Sequence, residues 1–393
     1  MARSIFISAG EASGEHYGAR LLAELKHQLA GRGEEARFIG MGGERMEAAG
    51  LERIVRAEDV AVMGLTEVVR HLPRIYGEFQ KLKRAIRAER PAVAVLIDFP
   101  EIHLRLARLF HELGIPVVYF VSPQIWAWKK HRIKLIQQYV RRMAVIFPFE
   151  EPFYREHGVE AEFVGHPLAE LPPPAITRDE FARAHGLNAA ARWIGLLPGS
   201  RPHEIRDHLP EMIAAARSLD ARVGPSEYLI PLAATLNAEQ RAKVRATVAA
   251  LGAGLKLHLV EDARAALAHA RASVVASGTA TVEAALIGNP FVVVYHVSPV
   301  TFAIAKRVVQ VKNVAMANLI AGRVIVPELL QNEFRAEVIV RHLVPLLEEG
   351  EPRVRMIAEL QRVGTILREG ARGAGAIERV AAMTLEEMDG RGR

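Results

Sequence analysis

Short apolar runs alternate with longer amphipathic segments along most of the chain. Apolar runs of about four to eight residues are typical of strands buried on both faces, and the longer segments are typical of helices. The alternation predicts parallel sheets covered by helices on both sides. Helices are expected between the strands, for example over Tyr17–Ala30 and Glu78–Ala88. The predicted strands are Ser4–Ser8, Ala36–Ile39, Val93–Ile97, Val117–Phe120, Met143–Ile146, Ala161–Val164, Trp193–Leu197, Tyr228–Pro231, Lys256–Leu259, Ser273–Ala276 and Phe291–Tyr295.

A proline-rich break divides this series. The segment His166–Thr177 contains four prolines and favours a linker between domains. Strands and helices recur on each side of it, so the expected fold class is α/β, with two doubly wound Rossmann-like domains facing a cleft. We expect domains over residues 1–168 and 169–345, and a helical tail over 346–393 that packs back on a domain or on a partner subunit.

The composition restricts the kinds of site and the cell compartment that we expect for this chain. Its 393 residues include no cysteine, which excludes disulfides, thiolate metal sites and a cysteine nucleophile. Met1–Gly10 leads directly into a strand pattern without the regions of a signal peptide, and no apolar run of about 18 residues is present. We therefore expect a cytoplasmic protein without a membrane span.

The net charge of +6 is unevenly distributed. No acidic residue lies between Glu112 and Glu150, and this interval holds a basic and aromatic cluster. The cluster is either a solvated helix face with a few buried aromatics or a surface that binds anions such as lipid headgroups. Tryptophans beside cations suit a membrane interface, which favours the second interpretation. The candidate contacts are Trp126, Trp128, Lys129, Lys130 and Arg132.

The segment Val60–Tyr76 is apolar at first and then amphipathic. It is either an ordinary core helix or an interfacial helix that meets lipid. The candidate lipid contacts are Met63, Leu65, Val68, Val69 and Leu72.

The segment Ser277–Glu283 follows a predicted strand and opens a helical run. Gly278 permits a sharp turn, and small neighbours leave the N–H groups of a helix start uncovered. This predicts an anion site at Ser277, Gly278 and Thr279. Glu283 either suits the helix dipole in the first turn or accepts hydrogen bonds from ribose hydroxyl groups.

Four other turns also follow predicted strands, at the end of a sheet where α/β proteins bind ligands. They are Gly10–Gly14, Gly40–Gly43, Asp98–Pro100 and Pro198–Arg201. Each turn alone is weak evidence of a binding site, but several such turns in both halves of the chain suggest a ligand held between the domains. Gly14 is the candidate binding residue of the first turn.

Three polar residues near these strand ends each allow two interpretations. Asp98 either caps the helix that follows or acts as a general base. Arg201 is either an exposed surface residue or a fork that binds a diphosphate. His166 is either a hinge residue or a site histidine.

The glycine turns do not match the common cofactor motifs. Gly10, Gly14 and Gly18 do not give G-x-G-x-x-G, and Gly199–Arg201 lacks the lysine of a P-loop. Nicotinamide chemistry and ATP hydrolysis are therefore disfavoured. No H-E-x-x-H or similar spacing occurs, so we expect neither a cofactor nor a metal.

Eight motifs, in order over most of the chain, resemble those of the lipid-A-disaccharide synthase family. The Trp-Ala-Trp and Pro-Glu-Leu-Leu-Gln segments are the most specific of them. The motifs are Ser8–Gly14, Met63–Val68, Ser122–Trp128, Phe147–Glu150, Phe163–Leu168, Leu197–Arg201, Ser277–Glu283 and Pro327–Gln331.

The resemblance implies a GT-B glycosyltransferase that is inverting and metal-independent. Such an enzyme joins UDP-2,3-diacylglucosamine to 2,3-diacylglucosamine 1-phosphate and releases UDP, at the cytoplasmic face of the inner membrane. It implies that Asp98 is the base and that Arg201, Glu283, Asn318 and Gln331 bind the UDP-sugar. The implied partners are these two substrates and an anionic membrane surface, with a homodimer left open and no nucleic acid.

Four positions depart from the family's motifs: Glu15, His103, Lys129 and His296. Lysine lacks the planar fork of arginine, so position 129 loses a bidentate contact. Two rival functions stay open. One is another UDP-sugar GT-B enzyme or an epimerase with a soluble substrate. The other is a basic nucleic-acid-binding protein, which would leave the strand-end glycine turns unexplained.

Overall fold

A computed structural model describes residues 3–60, 65–126, 132–298, 302, 313–370 and 373–390 of the chain. For residues 12 and 65–72 it describes the backbone alone. The chain folds as two compact units. Unit 1 comprises Met1–Glu170 together with Leu367–Arg393, and unit 2 comprises Leu171–Ile366.

Unit 1 is a parallel sheet of seven strands with helices between them. Its strands are β1 (Arg3–Ala9), β2 (Ala36–Gly42), β3 (Glu52–Arg56), β4 (Val93–Ile97), β5 (Val117–Phe120), β6 (Arg142–Val145) and β7 (Ala161–Phe163). Its helices are α1 (Ala12–Gly31), α2 (Glu44–Ala48), α3 (Leu65–Glu89), α4 (Pro100–Glu112), α5 (Ile133–Tyr139) and α6 (Glu150–Glu156). The strand order is β3-β2-β1-β4-β5-β6-β7.

Unit 2 repeats this plan with a parallel sheet of six strands. Its strands are β8 (Trp193–Leu197), β9 (Glu227–Pro231), β10 (Lys256–Val260), β11 (Ala272–Ala276), β12 (Phe291–Tyr295) and β13 (Glu328–Leu330). Its helices are α7 (Arg178–His185), α8 (Pro202–Val223), α9 (Ala238–Leu251), α10 (Ala263–His269), α11 (Thr279–Ile287), α12 (Met316–Ala321), α13 (Ala336–Leu347) and α14 (Glu351–Glu369). The strand order is β10-β9-β8-β11-β12-β13.

The central strands explain why the apolar runs were such clear signals. All residues of β4, β8 and β11 are buried, because parallel strands in the middle of a sheet have helices on both faces. The predicted doubly wound α/β fold class is confirmed in both units. The unit boundary at Glu170 falls within the proline-rich segment His166–Thr177.

Two edge strands were not predicted. Strand β3 reads Glu-Arg-Ile-Val-Arg and keeps charged residues at its exposed positions, as edge strands commonly do. Strand β13 has three residues, too few for a periodic pattern.

The last helix, α15 (Ala376–Met388), returns to unit 1 and packs against α1. Its apolar face includes the buried residues Ile377, Val380 and Leu385. Arg379 forms a bidentate ion pair with Glu162 of β7, with N–O distances of 2.6 and 2.8 Å. None of the helices in the described part of the chain has the length and apolar character needed to span a bilayer.

Candidate functional site

In unit 1 the candidate residues lie at the point where the strand order reverses. Strands β1 and β4 are neighbours, with Ala9 paired to Ile97, and the chain proceeds from them toward opposite edges of the sheet. Ligands of open α/β sheets bind at the carboxyl ends of such strands. The turns that follow are Gly10–Gly14 and Asp98–Pro100, which we call the unit 1 switch loops.

The backbone of Asp98 is held in an unusual conformation. Asp98 and Phe99 both have left-handed φ angles, of 51° and 50°. Such a conformation costs on the order of 1–3 kcal/mol per non-glycine residue and persists only where the surroundings impose it. The Asp98 N–H donates to the Phe120 carbonyl at 2.9 Å, and the Asp98 carbonyl accepts from the Tyr119 hydroxyl at 2.6 Å.

His103 holds the same carbonyl from α4. Its Nδ1 lies 2.6 Å from the Asp98 carbonyl oxygen, which can only accept, so Nδ1 carries the proton. Nε2 then accepts a hydrogen bond of 2.7 Å from the Ser8 hydroxyl. Both side chains are fully buried, and burial lowers the pKa of His103 to about 4. The ring is therefore neutral at pH 7 and fixes the turn that carries the Asp98 carboxyl group.

The two switch loops of unit 1 are packed directly on one another. A Cβ atom on Gly10 would lie 2.3 Å from the Phe99 ring, so this position requires glycine. The Phe99 ring also makes an edge-to-face contact with the His103 ring, with 5.7 Å between the two centroids. Gly14 lies in the first turn of α1, where an added Cβ would contact Ile97 at an ordinary 3.5 Å.

Helix α1 begins beside this turn without a side-chain cap. Its first N–H groups lack a capping side chain and can donate hydrogen bonds to an anion. Glu15, one of the departures from the family's motifs, instead accepts a hydrogen bond of 2.9 Å from the Arg45 N–H.

The Trp126 prediction needs correction. Trp126 is 9% exposed, and its Nε1 donates to Glu150 at 3.1 Å, so this side chain is anchored inside unit 1 rather than presented to a membrane. Glu150 also accepts from the Ser122 hydroxyl and the Phe147 N–H. Burial raises the pKa of Glu150 to about 7, and the three donors act in the opposite direction.

The other predicted lipid contacts are only partly covered by the described residues. Arg132 is partly buried and pairs with Glu101 at 3.2 Å. Met63, Trp128, Lys129 and Lys130 lie outside the described residues, and the side chains of Leu65, Val68, Val69 and Leu72 are not described.

His166, the candidate hinge or site residue, is buried. Its Nδ1 accepts a hydrogen bond of 3.2 Å from the Leu168 N–H, and the backbone N–H of His166 donates to the Leu367 carbonyl at 3.0 Å. Burial lowers its pKa to about 3. The bond to Leu367 joins the end of the first chain segment of unit 1 to the returning tail.

Unit 2 has the same arrangement at its own reversal of strand order. Strands β8 and β11 are neighbours, with Leu197 paired to Val275. The turns after them, Pro198–Arg201 and Ser277–Gly278, are the unit 2 switch loops. The parallel with unit 1 places four of the predicted strand-end turns at two switch points.

Arg201 immediately precedes α8 and keeps 42% of its side chain exposed. The turn that presents it is held by Glu204, whose Oε2 accepts the N–H groups of Ser200 and Arg201 at 3.1 and 3.2 Å. The Arg201 guanidinium lies 3.8 Å from the other Glu204 oxygen, too long for a strong hydrogen bond. Its donors are therefore well placed to take an anion.

The turn at Ser277–Gly278 is open. Gly278 has a φ of 148° and is exposed, and apart from its two chain neighbours no described residue has an atom within 4 Å of the place where a Cβ would stand. It precedes the nine-residue helix α11, which has no side-chain cap. Thr279 is exposed at the first helical position. The Ser277 N–H donates to the Val294 carbonyl at 3.0 Å.

Glu283 lies beyond the first turn of α11, which contains no acidic residue. The helix-dipole interpretation of Glu283 was therefore wrong, since the dipole acts on the terminal turn. The side chain is partly buried, and this burial raises its pKa while Arg264 opposes the shift.

Asn318 does not fit a direct contact with a ligand. It is fully buried, its Nδ2 donates to Glu328 at 2.7 Å, and its Oδ1 accepts the N–H groups of Ile325 and Val326. Glu328 in turn accepts the Val314 N–H at 2.9 Å. Asn318 and Glu328 therefore fix the backbone around residues 314 and 325 instead of meeting a substrate.

Gln331 is bonded to the backbone as well. It has a left-handed φ of 51°, and the amide orientation assigned from its surroundings pairs it with Val297, with Nε2 donating at 3.1 Å and Oε1 accepting at 3.3 Å. It is partly exposed beside the end of β12.

His208 is a supporting residue that sequence reasoning missed. It is fully buried on α8, its Nδ1 donates to the Pro198 carbonyl at 2.8 Å, and its Nε2 accepts the His296 N–H at 3.1 Å. It thus ties the first unit 2 switch loop to the end of β12. The preceding motif Gly-Ser-Arg gave no signal for a histidine two helical turns later.

Comparisons with known proteins identify relatives along almost the whole chain. The family model described as lipid-A-disaccharide synthetase matches residues 5–374. A lipid-A-disaccharide synthase from Acidobacterium capsulatum is 59% identical over 99% of this chain and 98% of its own length. The corresponding protein of Koribacter versatilis is 50% identical over 97% of both chains.

Solved structures show the same fold at low identity. The calicheamicin glycosyltransferase CalG4 matches with a TM-score of 0.60 and 19% identity over 99% of both chains. A UDP-GlcNAc 2-epimerase from Neisseria meningitidis bound to UDP-GlcNAc matches with a TM-score of 0.61 and 10% identity, also over 99% of both. Both likenesses concern the fold, and the neighbours include glycosyltransferases of the GT-B class.

Proposed function

This chain belongs to the lipid-A-disaccharide synthase family, and from that premise we propose how its switch loops carry out the reaction. The enzyme is a glycosyltransferase of lipid A synthesis that uses a nucleotide sugar and a sugar acceptor. It joins UDP-2,3-diacylglucosamine to 2,3-diacylglucosamine 1-phosphate, giving lipid A disaccharide 1-phosphate and UDP.

The UDP group is assigned to the unit 2 switch loops. The observation that carries this assignment is that an open glycine turn at an uncapped helix and a half-exposed arginine flank one switch point. The N–H groups of Gly278 and Thr279 and the Arg201 guanidinium bind the diphosphate. Glu283 accepts hydrogen bonds from the ribose, and Gln331 contacts the donor from the end of β13.

The acceptor is assigned to the unit 1 switch loops, with Asp98 as general base. Its carboxylate accepts the proton of the acceptor 6-hydroxyl while that oxygen bonds to the anomeric carbon of the donor. The bond from that carbon to the diphosphate breaks, and UDP leaves with the electron pair. Arg201 and the start of α11 stabilise the charge that develops on the leaving group. Gly14 lets the start of α1 approach the acceptor closely.

The membrane-facing surface is assigned to α3, α4 and α5 of unit 1. In the described part of that unit, the large apolar residues that are exposed are Tyr76 of α3 and Leu135 of α5. A groove of about 460 Å³ lies between these helices. Its lining combines apolar side chains with cations that suit anionic headgroups. The lining residues are Phe79, Lys83, Arg87, Leu104, Arg105, Arg108, Leu109, Glu112, Leu135 and Tyr139.

Mass spectrometry of the product tests the reaction. Full-length protein incubated with both acylated glucosamine substrates is expected to give the tetraacyl disaccharide 1-phosphate and UDP. Equal turnover of UDP-glucosamine without acyl chains would favour the rival transferase with a soluble substrate. Conversion of the UDP-sugar without any disaccharide would favour the epimerase.

Vesicle flotation at low salt tests the membrane surface. Replacing Tyr76 by Gln should lower the fraction bound to anionic vesicles, because it removes an exposed aromatic ring from α3. Leu251→Gln is the control, since Leu251 is also an exposed apolar residue but lies on unit 2. Equal flotation of the two variants, or none by the unaltered protein, would refute the assignment.

A further inference from the structure

A second cavity, of about 470 Å³, lies in unit 2 at the amino ends of β8 and β11. This is the opposite end of those strands from the unit 2 switch loops, so the cavity is not part of the donor site. Four arginines line it, and we call it the arginine cavity. Its lining residues are Arg178, Ala190, Ala191, Arg192, Trp193, His269, Ala270, Arg271 and Arg353.

Arg178 is fixed by neutral partners. Its guanidinium donates to the carbonyls of Ala189, Ala191 and His269 at 2.6–2.9 Å. It also stacks on the buried Trp193 ring, 3.6 Å from the centroid. These contacts hold the charge in place without neutralising it.

Arg353 and Arg192 are held in the same way. Nη1 of Arg353 donates to the carbonyls of Arg271 and Leu346 at 2.7 and 2.8 Å. Arg192 donates to the Ser226 hydroxyl and to the carbonyls at 223 and 224, all at 2.9 Å. In the part of the chain that the structure describes, neither forms an ion pair with a carboxylate.

Among the four arginines, Arg271 alone forms an ion pair with a carboxylate in the described part of the chain. Its partner is Glu349, at 2.7 Å. Glu349 is 79% exposed, so water screens much of that pair. Burial lowers the pKa of Arg353, and the nearby charge of Arg271 lowers it further. Glu349 opposes this lowering of the pKa of Arg353, and Asp179 and Glu227 oppose the lowering that burial causes in Arg178. The arginine cavity therefore keeps an excess of positive charge on half-buried groups, which is costly unless an anion accompanies it.

The guanidinium groups also have N–H donors that the contacts described above do not use. Each guanidinium has five N–H groups, and Arg353 uses two of them for the carbonyls described above. Planar forks with spare donors match the oxygens of a phosphate group, which accept in pairs.

We propose that the arginine cavity binds a phosphate-class oxyanion, with Arg271 and Arg353 as its principal ligands and Arg178 and Arg192 as its fixed positive wall. The ligand is either an inorganic anion such as pyrophosphate or the phosphate group of a small organic molecule. The site does not depend on the assignments made for the switch loops.

Pyrophosphate is the probe that tests this site. It should raise the melting temperature of the full-length protein more than sodium chloride of equal ionic strength does, because an anion that binds the folded state stabilises it. Since the unit 2 switch loops can also bind pyrophosphate, isothermal titration is repeated with UDP at saturation. Binding that persists under UDP, and is weakened at least 10-fold by Arg353→Gln, supports the arginine cavity.

Arg355→Gln is the matched control, because Arg355 lies on the same helix, is exposed and pairs only at 3.7 Å with Glu351. It should bind pyrophosphate as the unaltered protein does. Unchanged binding in Arg353→Gln, or a chloride effect equal to that of pyrophosphate, would show that the arginines only hold carbonyl groups. Arg353→Lys keeps the charge and provides the comparison if the glutamine variant folds poorly. Glucose 1-phosphate, titrated in parallel, distinguishes an organic phosphate from the inorganic anion by its affinity.

Discussion

The two units have the same topology at their switch points but hold their loops by different means. In unit 1 the loop carries a carboxylate, and buried side chains of His103, Tyr119 and Ser8 constrain its strained backbone. In unit 2 the loops leave N–H groups and a guanidinium open, and carboxylates such as Glu204 accept the backbone N–H groups behind them.

On the proposed assignment of the two sites, this difference follows from the group that each unit presents. A general base needs one carboxyl group in a fixed direction, and a rigid turn fixes that direction. A diphosphate is bound by several donors at once, and glycine lets those donors approach it. The same strand order can therefore present either a negatively or a positively charged site, because the residues that follow the strands set the charge.

The sharpest test of this comparison is the replacement of Asp98 by Ala. Turnover should fall by about 10²–10⁴-fold, the usual contribution of a positioned proton acceptor, while UDP affinity changes little. Steady-state kinetics and calorimetric titration of UDP measure the two quantities. Glu101→Gln, which removes an exposed carboxylate in the first turn of α4, is the control and should retain activity. Full activity of Asp98→Ala would break the assignment of chemistry to unit 1.

Acid should weaken unit 1 through its buried histidines. His103 and His166 have pKa values lowered to about 4 and about 3, so their neutral forms stabilise the folded state above pH 6.5 and this stability is lost as the pH falls. Glu150, with a pKa raised to about 7, acts in the opposite sense between pH 7 and 4.5. Two histidines against one carboxyl group leave a net loss on the order of 3 kcal/mol between pH 7 and pH 4.

Hydrogen exchange followed by mass spectrometry measures this loss segment by segment. Peptides from β1, β4 and β5 should lose protection at a higher pH than peptides from β8 and β11. His103→Asn removes one titrating group and should flatten the pH dependence. Simultaneous loss of protection in both units would show that the buried histidines do not decide the acid response.

The smallest effect expected is on nucleotide binding. Arg201→Ala removes a charge-assisted hydrogen bond of roughly 1.5–3 kcal/mol, so UDP should bind at least about 10-fold more weakly. Arg206→Ala is the control on the same helix, because Arg206 is exposed and pairs with Asp207. Equal UDP affinities of the two variants would remove Arg201 from the phosphate site.

The sequence predicted the central strands and the turns after them because both are local signals. Buried strands such as Val93–Ile97 are continuous apolar runs, and a glycine or an aspartate after them is visible in the chain. The left-handed turn at Asp98 was not predictable, since it depends on Tyr119 and on Ser8, far away in sequence. Asn318 shows the reverse error, because its motif position said nothing about the four hydrogen bonds that occupy it.

The return of α15 to unit 1 has a consequence for synthesis on the ribosome. The seven strands of unit 1 are made before unit 2, but the helix that covers α1 is made only after roughly 200 residues of unit 2. At about 5–20 residues per second this interval lasts about 10–40 s. During it the nascent chain exposes the apolar surface that Ile377, Val380 and Leu385 later cover, and unit 2 is able to finish folding first. The unit whose strands are synthesised before unit 2 is therefore completed after it, and loss of α15 would damage unit 1 while sparing unit 2.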